Sequence, residues 1–224
     1  MNKFAFIFSL PKTLIFNVQN FGIKKGIKLP ILVNYNVKLK GIRFGSIEIH
    51  SGIRTFMIKL CTEGGSEAVN FNNKKGGLVK IGKEGKIIFS GKAKISSGTA
   101  IESDGILEIG GNFYCNNNCF ISCSKEIKVG ENALWGWNTN VRDSDGHEVW
   151  NKDSKRDKKM SIKSVHIGNN VWLGGKVDIL KGVKIPEGCV VGYNSCLTKP
   201  FEESNCLIGG YPARKIKQNI VWKE

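Results

Sequence analysis

The stretch VHIGNNVWLGGKVDILKGVKIPEGCVVGYNSCL, residues 165–197, decides the fold. Every sixth residue in it is aliphatic: Ile167, Leu173, Ile179, Ile185, Val191 and Leu197. Two positions ahead of each stands a small or β-branched residue, in turn Val165, Val171, Val177, Val183, Cys189 and Ser195. A helix requires a period of 3.6 and a half-buried strand requires strict alternation. A period of six fits neither alone. It fits a short strand plus a turn, three of which close one triangular rung whose inward residues stack in columns at the interstrand spacing of ~4.8 Å. One column takes Ile, Leu or Val, and the other takes Val, Cys or Ser.

The same beat runs earlier through Ile109, Cys115 and Ile121, with Phe113 and Cys119 two residues before the later pair. After a two-residue slip it passes Val129, Trp135 and Val141, and Ile81 and Ile87 extend it backwards. Residues from about 79 to 200, less one loop, then supply about six rungs of ~18 residues. The expected fold is all-β: a parallel β-helix solenoid over 27–200 with one protruding loop (142–164), a capping segment over 1–26 and a tail over 201–224. Val33, Val37 and Leu39 keep an alternating pattern without the beat, which predicts irregular opening rungs over 27–78. Between Phe4 and Phe21 apolar residues mix with Lys12 and Asn17, the pattern of a short amphipathic helix. Such a helix would cap the open end of the solenoid, whose edge is otherwise unpaired. Membrane-surface binding is the sharper alternative, and this segment is the one place for membrane contact.

Thirty-four Lys and Arg against nineteen Asp and Glu leave a formal charge of +15, which implies a polyanionic partner. No zinc finger, helix-turn-helix or aromatic-basic RNA motif speaks for nucleic acid, so none is expected. Twenty-seven glycines exceed the usual share, while five prolines are too few for a disordered or collagen-like chain. No apolar run approaches the ~20 residues of a transmembrane helix. Seven cysteines, an odd number with no signal peptide ahead of them, predict reduced thiols and a cytoplasmic location, at most peripheral to the inner face of the membrane. Cys115, Cys119 and Cys123 stand four apart, unlike the C-x2-C of zinc sites, and no histidine lies near. Small buried hydrophobes explain them better, and no metal is expected.

The beat breaks after Val141. Asp143-Ser-Asp-Gly-His-Glu-Val-Trp150 and the charged run behind it lack periodicity, and repeats resume only at Val165. This reads as a loop thrown out of the coil. Solenoids carry function in such insertions because their rungs are committed to packing. The bland reading is an Asp-Gly turn with lysines at a solvated tip. His147 sits at the root of this loop. His166, between inward Val165 and Ile167, should face outward, and His50 lies in the opening region.

Ile167-Gly-Asn-Asn-Val-Trp-Leu-Gly-Gly175, Val190-Val-Gly-Tyr-Asn-Ser-Cys-Leu-Thr-Lys199 and Gly210-Tyr-Pro-Ala-Arg-Lys-Ile-Lys217 resemble the hexapeptide-repeat acyltransferases. The resemblance covers roughly residues 79–222 and implies a left-handed parallel β-helix, a handedness that periodicity cannot give because parallel crossovers are otherwise almost always right-handed. It implies transfer of acetyl from acetyl-CoA to a hydroxyl of a sugar or surface-polysaccharide precursor, with a saccharide or nucleotide-sugar acceptor. It also implies a homotrimer with a site in each cleft, and Trp135, Trp137 and Trp150 lie close to the loop that would cross to the next subunit. His147 stands where these enzymes carry the general base, a group of pKa near 7 that takes the hydroxyl proton as the oxygen attacks the thioester. Asp143 or Asp145 could accept the other ring N–H.

Other positions carry over by the same motifs. Asn116 matches an acceptor or thioester contact, although corner asparagines also tolerate left-handed dihedrals. Eight positions on, where several of those enzymes hold the sugar with a carboxylate, this chain has Ser124. Gly175 matches the residue whose backbone N–H meets the pantetheine or thioester, and its missing side chain lets the cofactor approach. Tyr193, Thr198 and Lys199 line up with the strip along coenzyme A, and Arg214 and Lys217 with the cations that meet its phosphates. Trp172 forms the cofactor-side wall or packs against a neighbouring subunit.

Two competitors stand beside this reading. A metal-dependent hydratase on the same coil needs three converging histidines, and His50, His147 and His166 lack the spacing. A non-enzymatic basic solenoid binding an anionic glycan explains the charge. It has no need of the loop, His147 or the Gly-Tyr-Pro-Ala-Arg ending.

Overall fold

A computed structural model describes residues 3–64, 76–149 and 160–223. The chain winds through three parallel sheets in turn, and the coil is a left-handed parallel β-helix. Face A stacks Ile31–Val33, Ile58–Thr62, Ala93–Ser96, Phe113–Cys115, Leu134–Trp135, Trp172–Leu173, Val190–Val191 and Leu207–Gly210, and Ala213–Lys217 closes it in antiparallel register. Face B stacks Val37–Lys40, Gly77–Ile81, Ala100–Ser103, Phe120–Cys123, Asn140–Arg142, Asp178–Ile179 and Cys196–Leu197. Face C stacks Ile47–Ile49, Lys86–Phe89, Ile106–Ile109, Glu126–Val129, Val165–Ile167 and Lys184–Ile185.

The two inward columns of the sequence are the core. Val165, Ile167, Val171, Leu173, Val177 and Ile179 are all buried, as are Cys115, Cys119 and Cys123. Every cysteine is a free, buried thiol. Burial pushes Cys61 and Cys123 up to about 12, so they stay neutral and act as small hydrophobes.

Three features add to the expected picture. The opening strands Ile31–Val33, Val37–Lys40 and Ile47–Ile49 already occupy all three faces in parallel register with the next coil, but the rung is irregular in length as expected, with partners twenty-seven apart on face A and forty apart on faces B and C. Rung length also varies. Partners stand eighteen apart in the last coils (Trp172↔Val190, Asp178↔Cys196) but twenty apart in the middle ones (Phe113↔Ala93, Phe120↔Ala100, Glu126↔Ile106). The two added residues widen the corner between faces B and C, where Ser103, Cys123 and Asp143 form a third buried column. The loop leaves the coil from this widened corner, as a two-stranded antiparallel hairpin of Ser144–Glu148 with Met160–Ile162.

The third is the cap, where the expected helix forms with an unexpected polarity. Helix α1 (Lys3–Gly26) lies across the first rung, with a break at Gly22 (φ 73°). Its inward face is mostly polar, with Phe16 the one large apolar side chain it sends into the core. Thr13 Oγ1 donates to the Val33 carbonyl and accepts from the Val33 N–H, at 3.2 and 3.0 Å. The Asn17 amide does the same for Ile31 (2.7 and 3.1 Å), and the Asn20 amide for Ile47 (2.7 and 2.9 Å). Ser9 Oγ accepts from the Tyr35 N–H at 3.0 Å. These side chains stand in for the missing neighbouring strand, each bond contributing about 0.5–1.5 kcal/mol.

Candidate active site

The sequence-predicted residues fall into two groups at different corners of the triangle. Asn116, Gly175 and Tyr193 lie at the corner between faces A and B. There an open groove of about 490 Å³ is lined by Asn116, Leu134, Trp137, Trp172, Gly175, Tyr193 and Leu207. Its floor is Gly175: a Cβ there would come within 3.0 Å of the Trp137 ring and 3.2 Å of the Tyr193 ring. A side chain at this position would fill the space in which a slender ligand can reach the backbone. Lys176 Nζ sits 5.6 Å from the centre of the Tyr193 ring, a cation held at the mouth.

The groove's wall is a run of outward residues on face A in direct register: Leu134, Trp172, Val190 and Leu207. Outward positions on a solvated strand are normally polar, so four apolar ones in a column mark a surface built for contact. Trp172 is 40% exposed, and its ring lies 6.0 Å from that of Trp222, whose indole N–H is anchored on the Asn170 carbonyl at 2.8 Å. The chain's own tail therefore supplies packing expected of a neighbouring subunit. Arg214 and Lys217 are exposed on the closing strand, with Lys217 in register with the groove residue Leu207. In the other direction the same column continues through Tyr114 to Lys94 and Lys59. Those two lysines, with Arg54 and Lys92, line a second open groove of about 470 Å³.

The second group lies at the corner between faces B and C. His147 is exposed on the hairpin strand Ser144–Glu148, beside a register irregularity where Gly146 takes φ 77°. Such bulges re-aim side chains and gather next to active sites. Thr198 and Lys199 follow the face B strand Cys196–Leu197, so they stand on this edge and not beside Tyr193. Within one chain the whole of face B separates His147 from the Gly175 groove.

Asp143 needs a correction. Its carboxylate is fully buried and accepts the N–H groups of Ser124 (2.7 Å), Lys125 (2.7 Å) and Glu126 (2.8 Å) from the coil below. It anchors the loop root to that coil, with both oxygens engaged by these amides. Asp145 is partly exposed on the same strand as His147 and accepts from Lys181 Nζ at 2.7 Å. Ser124, at the position of the missing sugar carboxylate, shares a 2.9 Å hydroxyl contact with Ser144. Of the three tryptophans expected near the loop, Trp135 is a core residue, edge-on to Phe113 with ring centroids 5.0 Å apart. Trp137 is exposed in the groove, and Trp150 lies outside the described residues.

Asn116 is not one of the left-handed corner residues. Those are its neighbours Asn112 and Asn118 (φ 55° and 58°), and Asn112, Asn132 and Asn170 bond to one another in a ladder at 3.0 Å. The corner explanation thus accounts for most of these asparagines but not for Asn116. His50 and His166 lie on face C, each 2.9–3.0 Å from a glutamate, Glu48 and Glu126 respectively. The His166 hydrogen bond, helped by Lys128, holds the Glu126 carboxyl down at about 2. Face C is a charge-compensated, solvated surface. Sequence reasoning missed Leu134, Lys176, Val190 and Leu207, and for the three apolar ones their outward positions on the beat were the available signal.

No protein-family model matches the chain. The chain is 35% identical over 112 residues to a galactoside O-acetyltransferase of Escherichia coli (strain K12), which covers 50% of this chain and 54% of that protein. It is 30% identical over 154 residues to a polysialic acid O-acetyltransferase of Escherichia coli O1:K1, covering 69% of this chain and 43% of the relative. The chain thus spans about half or less of the length of these curated relatives. Among solved structures, the polysialic acid O-acetyltransferase OatWY superposes with a TM-score of 0.53 at 25% identity, over 87% of each chain. The polySia-specific acetyltransferase NeuO does so with a TM-score of 0.56 at 23% identity, over 84% of this chain and 76% of its own. The coil, its six-residue beat and these likenesses put the chain in the hexapeptide-repeat, left-handed β-helix acyltransferase family.

Proposed function

We propose that the chain is a CoA-dependent O-acyltransferase that moves acetyl from acetyl-CoA to a hydroxyl of a sugar or surface-polysaccharide precursor. The observation that carries this reading is the groove floored by Gly175, an apolar slot with a backbone-accessible base, with Lys176 by its Tyr193 ring and Lys217 in register with its Leu207. It fits a long, thin, phosphate-bearing thioester: the pantetheine arm along Leu134, Trp172 and Val190, and the phosphates toward Arg214 and Lys217.

The separation of His147 from that groove supports assembly. In a homotrimer with a site in each cleft, the hairpin of one subunit delivers His147 to the groove of its neighbour. His147 accepts the proton of the acceptor hydroxyl while that oxygen attacks the thioester carbonyl carbon. The carbon–sulfur bond then breaks, and the departing sulfur takes the proton back from the imidazolium. The products are an acetyl ester and a free thiol. Asp145 is the carboxylate left to orient the ring, and Asn116, in the groove, contacts the acceptor or the thioester.

An acceptor with acidic groups would run past Tyr114 along Lys94 and Lys59, one interstrand step after another, with Lys92 and Arg54 lining the same second groove. The same basic surface favours a second reading, a solenoid that binds an anionic glycan without chemistry. The experiment is thiol release from acetyl-CoA with a panel of neutral and acidic oligosaccharides and nucleotide sugars. Turnover with at least one acceptor, lowered ~10²–10⁴-fold in His147→Ala, is the expected result. Glycan binding with no thiol release for any acceptor would favour the binding module. Thiol release undiminished in His147→Ala would remove the histidine from the mechanism.

A further inference from the structure

Helix α1 is amphipathic the wrong way round for a surface helix. Its polar side, Ser9, Thr13, Asn17 and Asn20, is buried against the first rung. The opposite side, repeating at three- and four-residue steps, is Phe4, Ile7, Phe8, Pro11, Leu14, Ile15 and Val18. Not one charge interrupts this stripe. Phe4, Phe8 and Ile15 are two-thirds or more exposed, and Ile23, Ile27 and Phe44 extend the surface past the break at Gly22. Monomeric soluble proteins rarely leave such contiguous apolar faces uncovered.

What covers it is indicated by charge. Residues 1–47 contain seven lysines and one arginine (Lys3, Lys12, Lys24, Lys25, Lys28, Lys38, Lys40 and Arg43) and no Asp or Glu. Lys12 and Arg43 are tied to backbone carbonyls, whereas Lys3 at the start of α1 and Lys24, Lys25 and Lys28 at and just past its end are exposed. A second copy meeting this face would bring the same positive charge against it. An anionic lipid surface offers what the face lacks, acyl chains for the stripe and negative headgroups for its rim. No helix among the described residues is long and apolar enough to cross a membrane, which fits a helix lying flat in the interface.

We propose that the outward face of α1 docks the protein on an anionic membrane surface, with the stripe from Phe4 to Val18 seated at the headgroup–acyl boundary and Lys24, Lys25 and Lys28 on headgroups. The proposal does not depend on acyl transfer. The inward polar face stays bonded to the coil throughout, so docking requires no opening of the fold. A saccharide precursor carried on a membrane anchor would then meet the enzyme at its own surface.

The full chain is sedimented with vesicles of phosphatidylcholine alone and of phosphatidylcholine mixed with phosphatidylglycerol. Binding to the mixed vesicles, weakened by salt and at least tenfold stronger than to the neutral ones, is the expected result. Ile7→Glu/Ile15→Glu should lose that binding tenfold or more with an unchanged circular dichroism spectrum, because both side chains point away from the coil. Should that variant misfold, Lys24→Gln/Lys25→Gln decides: it should bind mixed vesicles severalfold more weakly and neutral ones as before. Absence of binding to the mixed vesicles overturns the proposal. So does a wild-type assembly that becomes smaller in Ile15→Glu without any vesicle binding, since a second copy would then cover the face.

Discussion

Asp143→Asn separates anchoring from catalysis at the loop root. In the native chain one carboxylate oxygen accepts the Ser124 N–H and the other accepts those of Lys125 and Glu126, all within 2.8 Å. Asparagine keeps one acceptor oxygen and turns an NH₂ group toward amides that are themselves donors. One or two of the three bonds are therefore lost, in a site with no exposure to water. Hydrogen bonds to a charged group are each worth about 1.5–3 kcal/mol, so the loss is about 2–4 kcal/mol. For a chain of this size each kcal/mol moves the melting temperature by about 2–4 °C, giving a fall of roughly 5–15 °C. The assay pairs thermal unfolding with turnover measured well below the melting point. The expected outcome is a clearly lowered melting temperature with turnover close to wild type. An unchanged melting temperature with turnover reduced as in His147→Ala would show Asp143 acting on the imidazole, and the anchoring account would be wrong.

Two further outcomes follow from the surface charges. Arg214→Gln/Lys217→Gln should raise the KM for acetyl-CoA severalfold at nearly constant kcat, the signature of lost uniform binding, and the effect should shrink in high salt; a change confined to the acceptor's KM would move the nucleotide elsewhere. Glu126 sits at about 2 instead of 4.5 because His166 and Lys128 favour its charged form. Its contribution is therefore complete above pH 4.5 and disappears as pH falls toward 2. The pair is exposed, so Glu126→Gln should cost only ~0.2–1 kcal/mol at neutral pH, and urea titrations of the two proteins should draw together as pH falls below 4.5 and coincide only at about pH 2; a gap that is undiminished there would refute the ion-pair assignment.

The core of this molecule was legible because stacking forces it to repeat. Each inward position meets the same neighbours one rung above and below, so the chain must reuse residues of one size, and the beat exposes them. Trp135 stood on that beat, and this marks it as core, not as part of the loop surface. The twenty-residue rungs were harder to see. The added corner position accepts Ser103, Cys123 or Asp143, three residues with no shared pattern except a side chain small enough to be buried. Which of Asp143 and Asp145 is committed depends on the three amides of the coil below, a neighbourhood set by winding. The cap inverted the usual rule for surface helices, since an open strand edge needs hydrogen-bond partners more than apolar cover. The groove was half legible: the motifs gave Gly175, Trp172 and Tyr193, while its apolar wall lay at outward positions that the beat treats as solvent.

The central claim is a site assembled from two subunits, and mixing subunits tests it most directly. His147→Ala removes the base, and Gly175→Trp fills the groove between Trp137 and Tyr193. Each variant alone should be nearly inactive. Equal amounts are unfolded together, refolded and assayed for thiol release, alongside sedimentation to verify a trimer. In random trimers about one cleft in four joins an intact His147 to an intact groove, so about a quarter of wild-type turnover should return. If the mixed sample assembles fully and stays as inactive as its two components, His147 and the Gly175 groove do not meet across subunits, and the account of a shared cleft is contradicted.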